Sequence, residues 1–167
     1  RMGCEASTNA YSITGSTPLV DSLLSVRYAL YSEYIPNTDL VNYIQESGGT
    51  YLYENLYTLP LGFVLPYDLA DNWQYQMENP AEVQNDLCLL LGTDDVLVPV
   101  ETEVSGSGCT FTADMAGEYY VYIQNKKVKN VKASLPSGEK NFSNVDRGYL
   151  LEMGNLSEGS RITLTPG

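Results

Sequence analysis

The chain has 167 residues, with 21 Asp and Glu against nine Lys and Arg, and a formal net charge of −12, a balance that repels nucleic acid and anionic lipid head groups. It contains no histidine, so Ser-His-Asp and Cys-His nucleophile systems, His-containing zinc sites and His general bases all lack their central residue. An autonomous enzyme of this composition would need a carboxylate pair or a bound ion. Cys4, Cys88 and Cys109 are too few and too widely spaced for a disulfide framework or a Cys-only zinc site. The length suits one domain with a core, or a domain with a smaller unit appended.

In chain order, residues 1–16 are polar and small, and read as an irregular arm with one short strand around residues 11–13. Ser16-Thr17-Pro18 supplies a hydroxyl cap and a proline at the first helical position. Leu19, Val20, Leu23 and Leu24 then form one apolar face, so a short helix is expected. Residues 25–31 alternate as a strand would. Asn37-Thr38-Asp39 reads as the start of another capped segment, with Leu40, Val41 and Ile44 on one side and Gly48-Gly49 ending it. Residues 51–67, YLYENLYTLPLGFVLPY, read as two aromatic-rich strands broken by a Glu54-Asn55 turn, with Pro60 and Pro66 as stops.

Asn79-Pro80-Ala81-Glu82 is a helix start, with Asn79 as cap, Pro80 at the first position and Glu82 able to reach back. The helix should run over 80–91, with Val83, Leu87, Leu90 and Leu91 facing the core and Gly92 ending it at positive φ. Cys88, inside a run of leucines, reads as a small core residue. Beyond residue 94, seven short strand-like runs alternate with Gly, Asp, Asn and Ser turns, the spacing of a β-sandwich. Asn125-Lys126-Lys127 reads as a hairpin turn. The predicted fold is α+β, mainly β: a small α/β part over 1–93, packed on a C-terminal antiparallel, jelly-roll-like β-sandwich over 94–167.

No run approaches the roughly 20 apolar residues that span a bilayer. The chain opens on Arg1-Met2-Gly3 without a signal peptide and closes on Thr165-Pro166-Gly167, which leads us to expect an excised piece of a longer protein.

Three blocks, PLVDSLLSVRYALY at 18–31, YLYENLYTLPLGFVLPYD at 51–68 and ENPAEVQNDLCLLLG at 78–92, stand in the order of motifs in a bacterial membrane-protein family. The sequence resembles the YfhO family there, in which an LLgVKY segment precedes vyeN…LPlgf and then P…QN…ltG. The resemblance implies a polytopic membrane protein that looks like a glycosyltransferase of the lipid-linked-sugar class, decorating teichoic acids in Gram-positive bacteria. This chain would then be an extracytoplasmic domain, with the transmembrane half of the same polypeptide and a cell-wall glycopolymer as partners. The family's catalytic carboxylate belongs to a loop between early transmembrane helices, so no catalytic residue is carried over.

Among individual residues, Asp68, Asp71 and Glu78 flank Trp73 and Tyr75. An aromatic ring beside carboxylates and amides is a common way to bind sugars. Tyr67, Asp68, Asp71, Asn72, Trp73 and Tyr75 are therefore the candidate ligand-binding residues, although for Trp73 itself packing is the favoured role. The Tyr119, Tyr120 and Tyr122 cluster offers a second aromatic face, only part of which alternation leaves available. Asn55, Gln84 and Asn85 are expected to satisfy backbone groups. Asp94-Asp95 lacks the companion carboxylates of a Ca²⁺ site and reads as a solvated turn. No cofactor or metal is expected. The sequence favours an acceptor-positioning or bracing domain. A freestanding carbohydrate-binding or adhesive module is the alternative, with a carboxylate-dependent hydrolase behind it.

Overall fold

The computed structural model describes residues 2–36, 38–106 and 108–167. Its strands and helices, in chain order, are β1 (Ala6–Ser7), β2 (Ala10–Tyr11), α1 (Pro18–Leu23), β3 (Tyr28–Tyr31), β4 (Val41–Ser47), β5 (Thr50–Asn55), α2 (Leu69–Asn72) and α3 (Pro80–Leu90). They continue with β6 (Thr102–Ser105), β7 (Gly108–Thr112), β8 (Gly117–Val121), β9 (Asn130–Leu135), β10 (Gly138–Ser143), β11 (Leu151–Leu156) and β12 (Arg161–Pro166). Two compact units result, one of residues 16–69 and one of 1–15 with 70–167. The fold is mostly β and every strand pairing is antiparallel.

In the unit of residues 16–69, Thr17 caps α1 by accepting from the Val20 N–H and Pro18 occupies the first turn, as its sequence predicts. The three-stranded sheet has the order β3-β5-β4. Here two expectations are corrected. Residues 41–47 form a strand and not a helix: Thr38 Oγ1 accepts from the Leu40 and Val41 N–H groups in a turn, and Gly48 and Gly49, at φ +58° and +78°, close a two-residue hairpin between β4 and β5. Asn37, the proposed start of that cap, lies outside the described residues. The helical-looking spacing of Val41 and Ile44 comes from a bulge between Tyr43 and Gln45, which inserts one residue and breaks the period of two. Second, Glu54 and Asn55 are not a turn but the end of β5, where Glu54 opposes Tyr28 and Asn55 opposes Val41. Residues 56–68 contain no strand.

Tyr53 is the centre of this unit. It is fully buried, its ring meets Tyr31 and Tyr43 edge-on at 5.4 and 5.6 Å, and its hydroxyl donates to the Ile35 carbonyl and accepts from the Ile35 N–H, both at 2.7 Å. Tyr34 adds edge contacts to Tyr43 and Tyr51. These edge-to-face aromatic pairs supply apolar area in a unit with few buried aliphatic residues. Asn55 closes β5 as anticipated: its side-chain amide donates to the Val26 carbonyl and accepts from the Tyr57 N–H.

In the other unit, a strand forms in each of the seven predicted runs of the C-terminal half, although the first run, 96–104, is strand only from Thr102. Five make one sheet in the order β10-β9-β12-β7-β6, and β11 pairs with β8 in a second. Between them lies one apolar cluster with Phe111, Val131, Ala133, Ile162 and Leu164 from the larger sheet and Tyr119, Leu151, Met153 and Leu156 from the smaller. This sandwich-like arrangement follows from alternation, since each strand sends every second residue to one face. Residues 125–127 do turn, with the Val128 N–H donating to the Asn125 carbonyl. However, they connect β8 and β9 in different sheets and so are not a hairpin.

The N-terminal arm forms the β1-β2 hairpin and is fastened by the Leu150 N–H, which donates to the Gly3 carbonyl at 2.8 Å. Helix α3 begins as expected at Asn79, which accepts from the Ala81 N–H, while Glu82 bonds the Asn79 side chain. Gly92 follows it at φ +76°. Val83, Leu87 and Cys88 are buried and Leu90 is half-buried, whereas Leu91, the cap residue, is exposed. None of the three cysteines is in a disulfide, and burial raises the Cys109 thiol pKa.

Candidate functional site

The six sequence candidates fall in both units. In residues 16–69, Tyr67 is completely exposed and Asp68 is exposed beside it. In the other unit, Asp71 and Asn72 are exposed in α2, and Trp73 is half-buried. The Trp73 indole N–H donates to the Val83 carbonyl in α3 at 2.9 Å, which commits its polar edge to holding the 73–77 turn against the helix. The Gln74 N–H, donating to Asp86 Oδ2 at 2.6 Å, fixes the same turn. The Tyr75 ring lies 6.0 Å from Trp73 and remains half-exposed. Trp73 thus has the packing role set out for it from sequence, and Tyr75 presents the open aromatic face.

Gln84 and Asn85 behave as backbone surrogates. Gln84, fully buried, donates to the Met2 carbonyl at 2.7 Å. Asn85 donates to the Leu97 carbonyl and accepts from the Val96 and Leu97 N–H groups, so one side chain pairs an extended segment as a neighbouring strand would. Their prominence in the sequence blocks is therefore architectural.

Two open grooves lie in the unit of 1–15 and 70–167. The larger, about 500 Å³, is lined by Glu101, Glu103, Asp114 and Arg161 over the β6-β7 edge. The Asp114 carboxylate accepts from the Tyr119 hydroxyl at 2.8 Å. Tyr119 is itself core, stacked on Phe111, and burial foremost raises its pKa. The smaller groove, about 340 Å³, brings together Gly3, Cys4, Glu78, Tyr122, Lys126, Asp146 and Arg147. Lys126 donates to the Tyr122 hydroxyl at 3.0 Å and its cation sits over the Tyr122 ring, 4.9 Å from the centroid, an attraction to the ring's negative face. Arg147 is held by Glu5 at 2.8 Å. Gly148 makes room for this arrangement, since a Cβ there would lie 2.5 Å from Lys126 Nζ.

This second groove combines an aromatic ring, two cations and two carboxylates, with equal formal charges of each sign. Hydroxyl groups of a sugar find both donors and acceptors there. Sequence singled out Tyr122 and Glu78 but could not join them, because α3 and the first three sandwich strands lie between them in the chain. The alternation of Tyr120 and Tyr122 opposite the core residue Tyr119 was the available signal. Among the described residues no cluster of His, Cys, Asp or Glu could hold a metal ion, and Asp94 and Asp95 are exposed outside helix and strand.

What the fold defines is a β-rich domain with polar grooves on its sandwich-like unit and a largely aromatic core in its smaller one. The family model described as "Bacterial membrane protein YfhO" matches residues 1–99. With more than half of the 167 residues covered, the chain belongs to the YfhO family of bacterial membrane proteins. No curated protein and no solved structure gives a significant match. Among the described residues no helix is long and apolar enough to cross a membrane.

Proposed function

We propose that this chain is the extracytoplasmic domain of a polytopic, glycosyltransferase-like membrane protein acting on a cell-surface glycopolymer of the teichoic-acid type. Its role is to position the acceptor or brace the transmembrane half, and it does no chemistry of its own. Family membership supports the membrane setting. The observation that carries acceptor positioning is the groove of Tyr122, Lys126, Arg147, Glu78 and Asp146, which is charge-balanced on a chain of net charge −12. The net charge opposes the phosphate backbone of such a polymer, so recognition in this groove is assigned to its sugar units. A sugar unit meets a ring edge, ammonium and guanidinium donors and carboxylate acceptors within one groove. Within residues 70–167, Tyr75 with Asp71 and Asn72 is the second stretch assigned to glycan contact under this reading.

Titration of the chain with glycosylated polyol-phosphate fragments, followed by amide NMR shifts, tests the assignment. Shifts should centre on residues 122–126 and 146–148, with a Kd of about 1 mM, equivalent to about −4 kcal/mol. Tyr122→Ala with Lys126→Ala should weaken binding about tenfold, the equivalent of one lost stacking or charge-assisted contact. Shifts confined to residues 71–77 would move the acceptor to that stretch, and no shifts would leave bracing as the role.

A further inference from the structure

Residues 56–67, LYTLPLGFVLPY, contain no charged side chain in a strongly acidic chain, and every residue from 60 to 68 is exposed. Leu61, Val64 and Tyr67 are 95, 97 and 100% accessible, and Leu56, Tyr57, Phe63 and Leu65 are also exposed. So contiguous a run of large apolar side chains in water marks an interaction surface. Its base is fixed: the Leu56 N–H donates to the Leu40 carbonyl, the Leu59 N–H to the Ser22 carbonyl and the Leu69 N–H to the Pro66 carbonyl. The tip therefore presents Leu61, Phe63, Val64 and Leu65 from a tethered loop.

We propose that residues 56–67 form a membrane-interface loop, which lodges in the head-group and upper acyl layer of a lipid bilayer. The inference rests on the membrane setting of the family reading. Two features favour lipid over a protein partner. Protein interfaces surround their apolar centre with a hydrogen-bonding rim and use Trp, Tyr and Arg as principal anchors; residues 56–67 hold neither Arg nor Trp. In this loop the polar side chains are Thr58 and two tyrosines, and the Thr58 hydroxyl is already spent on the Val26 and Asn55 carbonyls. Tyr57 and Tyr67 flank the aliphatic tip, and tyrosine favours the level where an apolar ring and a wet hydroxyl are both accommodated. The backbone of residues 60–66 has no helix or strand, and unpaired peptide groups are not tolerated in the hydrocarbon centre. That limits entry to about 5–10 Å, the depth of interfacial segments. Asp68 and the net charge predict preference for neutral over anionic head groups.

The test is flotation of the purified chain with vesicles of phosphatidylcholine, alone and with added phosphatidylglycerol. At about 5 mM lipid, which captures anchors weaker than one acyl chain, the chain should float with phosphatidylcholine vesicles and less with the anionic mixture. The double variant Leu61→Glu, Val64→Glu should keep its melting temperature, because both side chains are solvent-exposed, and lose at least about tenfold in partitioning. Failure of the unmodified chain to float, or equal flotation of the variant, overturns the proposal. Concentration-dependent dimerisation abolished by the same double variant also overturns it and assigns the loop to a second copy of the chain. Flotation without glycan-induced shifts preserves this inference while removing acceptor positioning, and the reverse result removes this inference alone.

Discussion

Tyr53→Ala should lower the unfolding free energy by about 3–5 kcal/mol in a urea titration, the range for emptying a large aromatic site. The side chain is fully buried, touches two further tyrosine rings and both donates to and accepts from the Ile35 backbone. Removing it creates a cavity and leaves both the N–H and the carbonyl of Ile35 without this partner. Tyr53→Phe separates the two contributions. It keeps the rings in contact and removes only the hydroxyl, so about 1–2 kcal/mol should be lost, the cost of unsatisfied buried polar groups. Near-UV circular dichroism should lose much of its tyrosine signal in Tyr53→Ala and little in Tyr53→Phe. Equal losses for the two variants would show that the hydroxyl, rather than ring packing, holds residues 16–69 together.

Gly15→Ala is the second change with a large expected effect. Gly15 has φ +80°, and a Cβ there would lie 2.5 Å from the carbonyl oxygens of both Gly3 and Leu150. These are backbone atoms, so relief requires moving the arm from the sandwich and straining the Leu150-to-Gly3 hydrogen bond. A loss of about 2–4 kcal/mol is expected, combining left-handed strain with a clash that no rotamer relieves. Gly159→Ala is the control, because Gly159 has nearly the same φ, +79°, and a Cβ at that position would meet nothing within 4 Å. It should cost about 1 kcal/mol, the conformational penalty alone. Similar losses at both positions would contradict the clash.

The sandwich strands and α3 were legible because their signals are local. Each strand alternates between core and solvent, and Asn79-Pro80 places a cap and a proline where a helix needs them. β4 was hidden by its bulge: the inserted residue near Ile44 turns a period of two into an apparent helical spacing, and Gly48-Gly49 serves a hairpin as readily as a helix end. Residues 56–67 have strand-like composition, but a strand also needs a neighbour, and composition carries no information about pairing. The same limit hides the Tyr122 groove. Its residues come from the N-terminal arm, the turn before α3 and two segments of the sandwich, and they meet only once the sheets are formed. Asn85 is the reverse case: the backbone-satisfying role expected of it from sequence is the one it fills, holding residues 96 and 97.

The placement of this domain on the outer side of the bacterial membrane is tested most directly by site-directed cysteine labelling in intact cells. Glu158, in the exposed turn between β11 and β12, is the position to use: Glu158→Cys in the full-length protein, treated with a membrane-impermeant maleimide and compared with the unsubstituted protein. An outward-facing domain should gain labelling at position 158 before the cells are opened. Labelling that appears only after lysis would place the domain on the cytoplasmic side and contradict the proposed function.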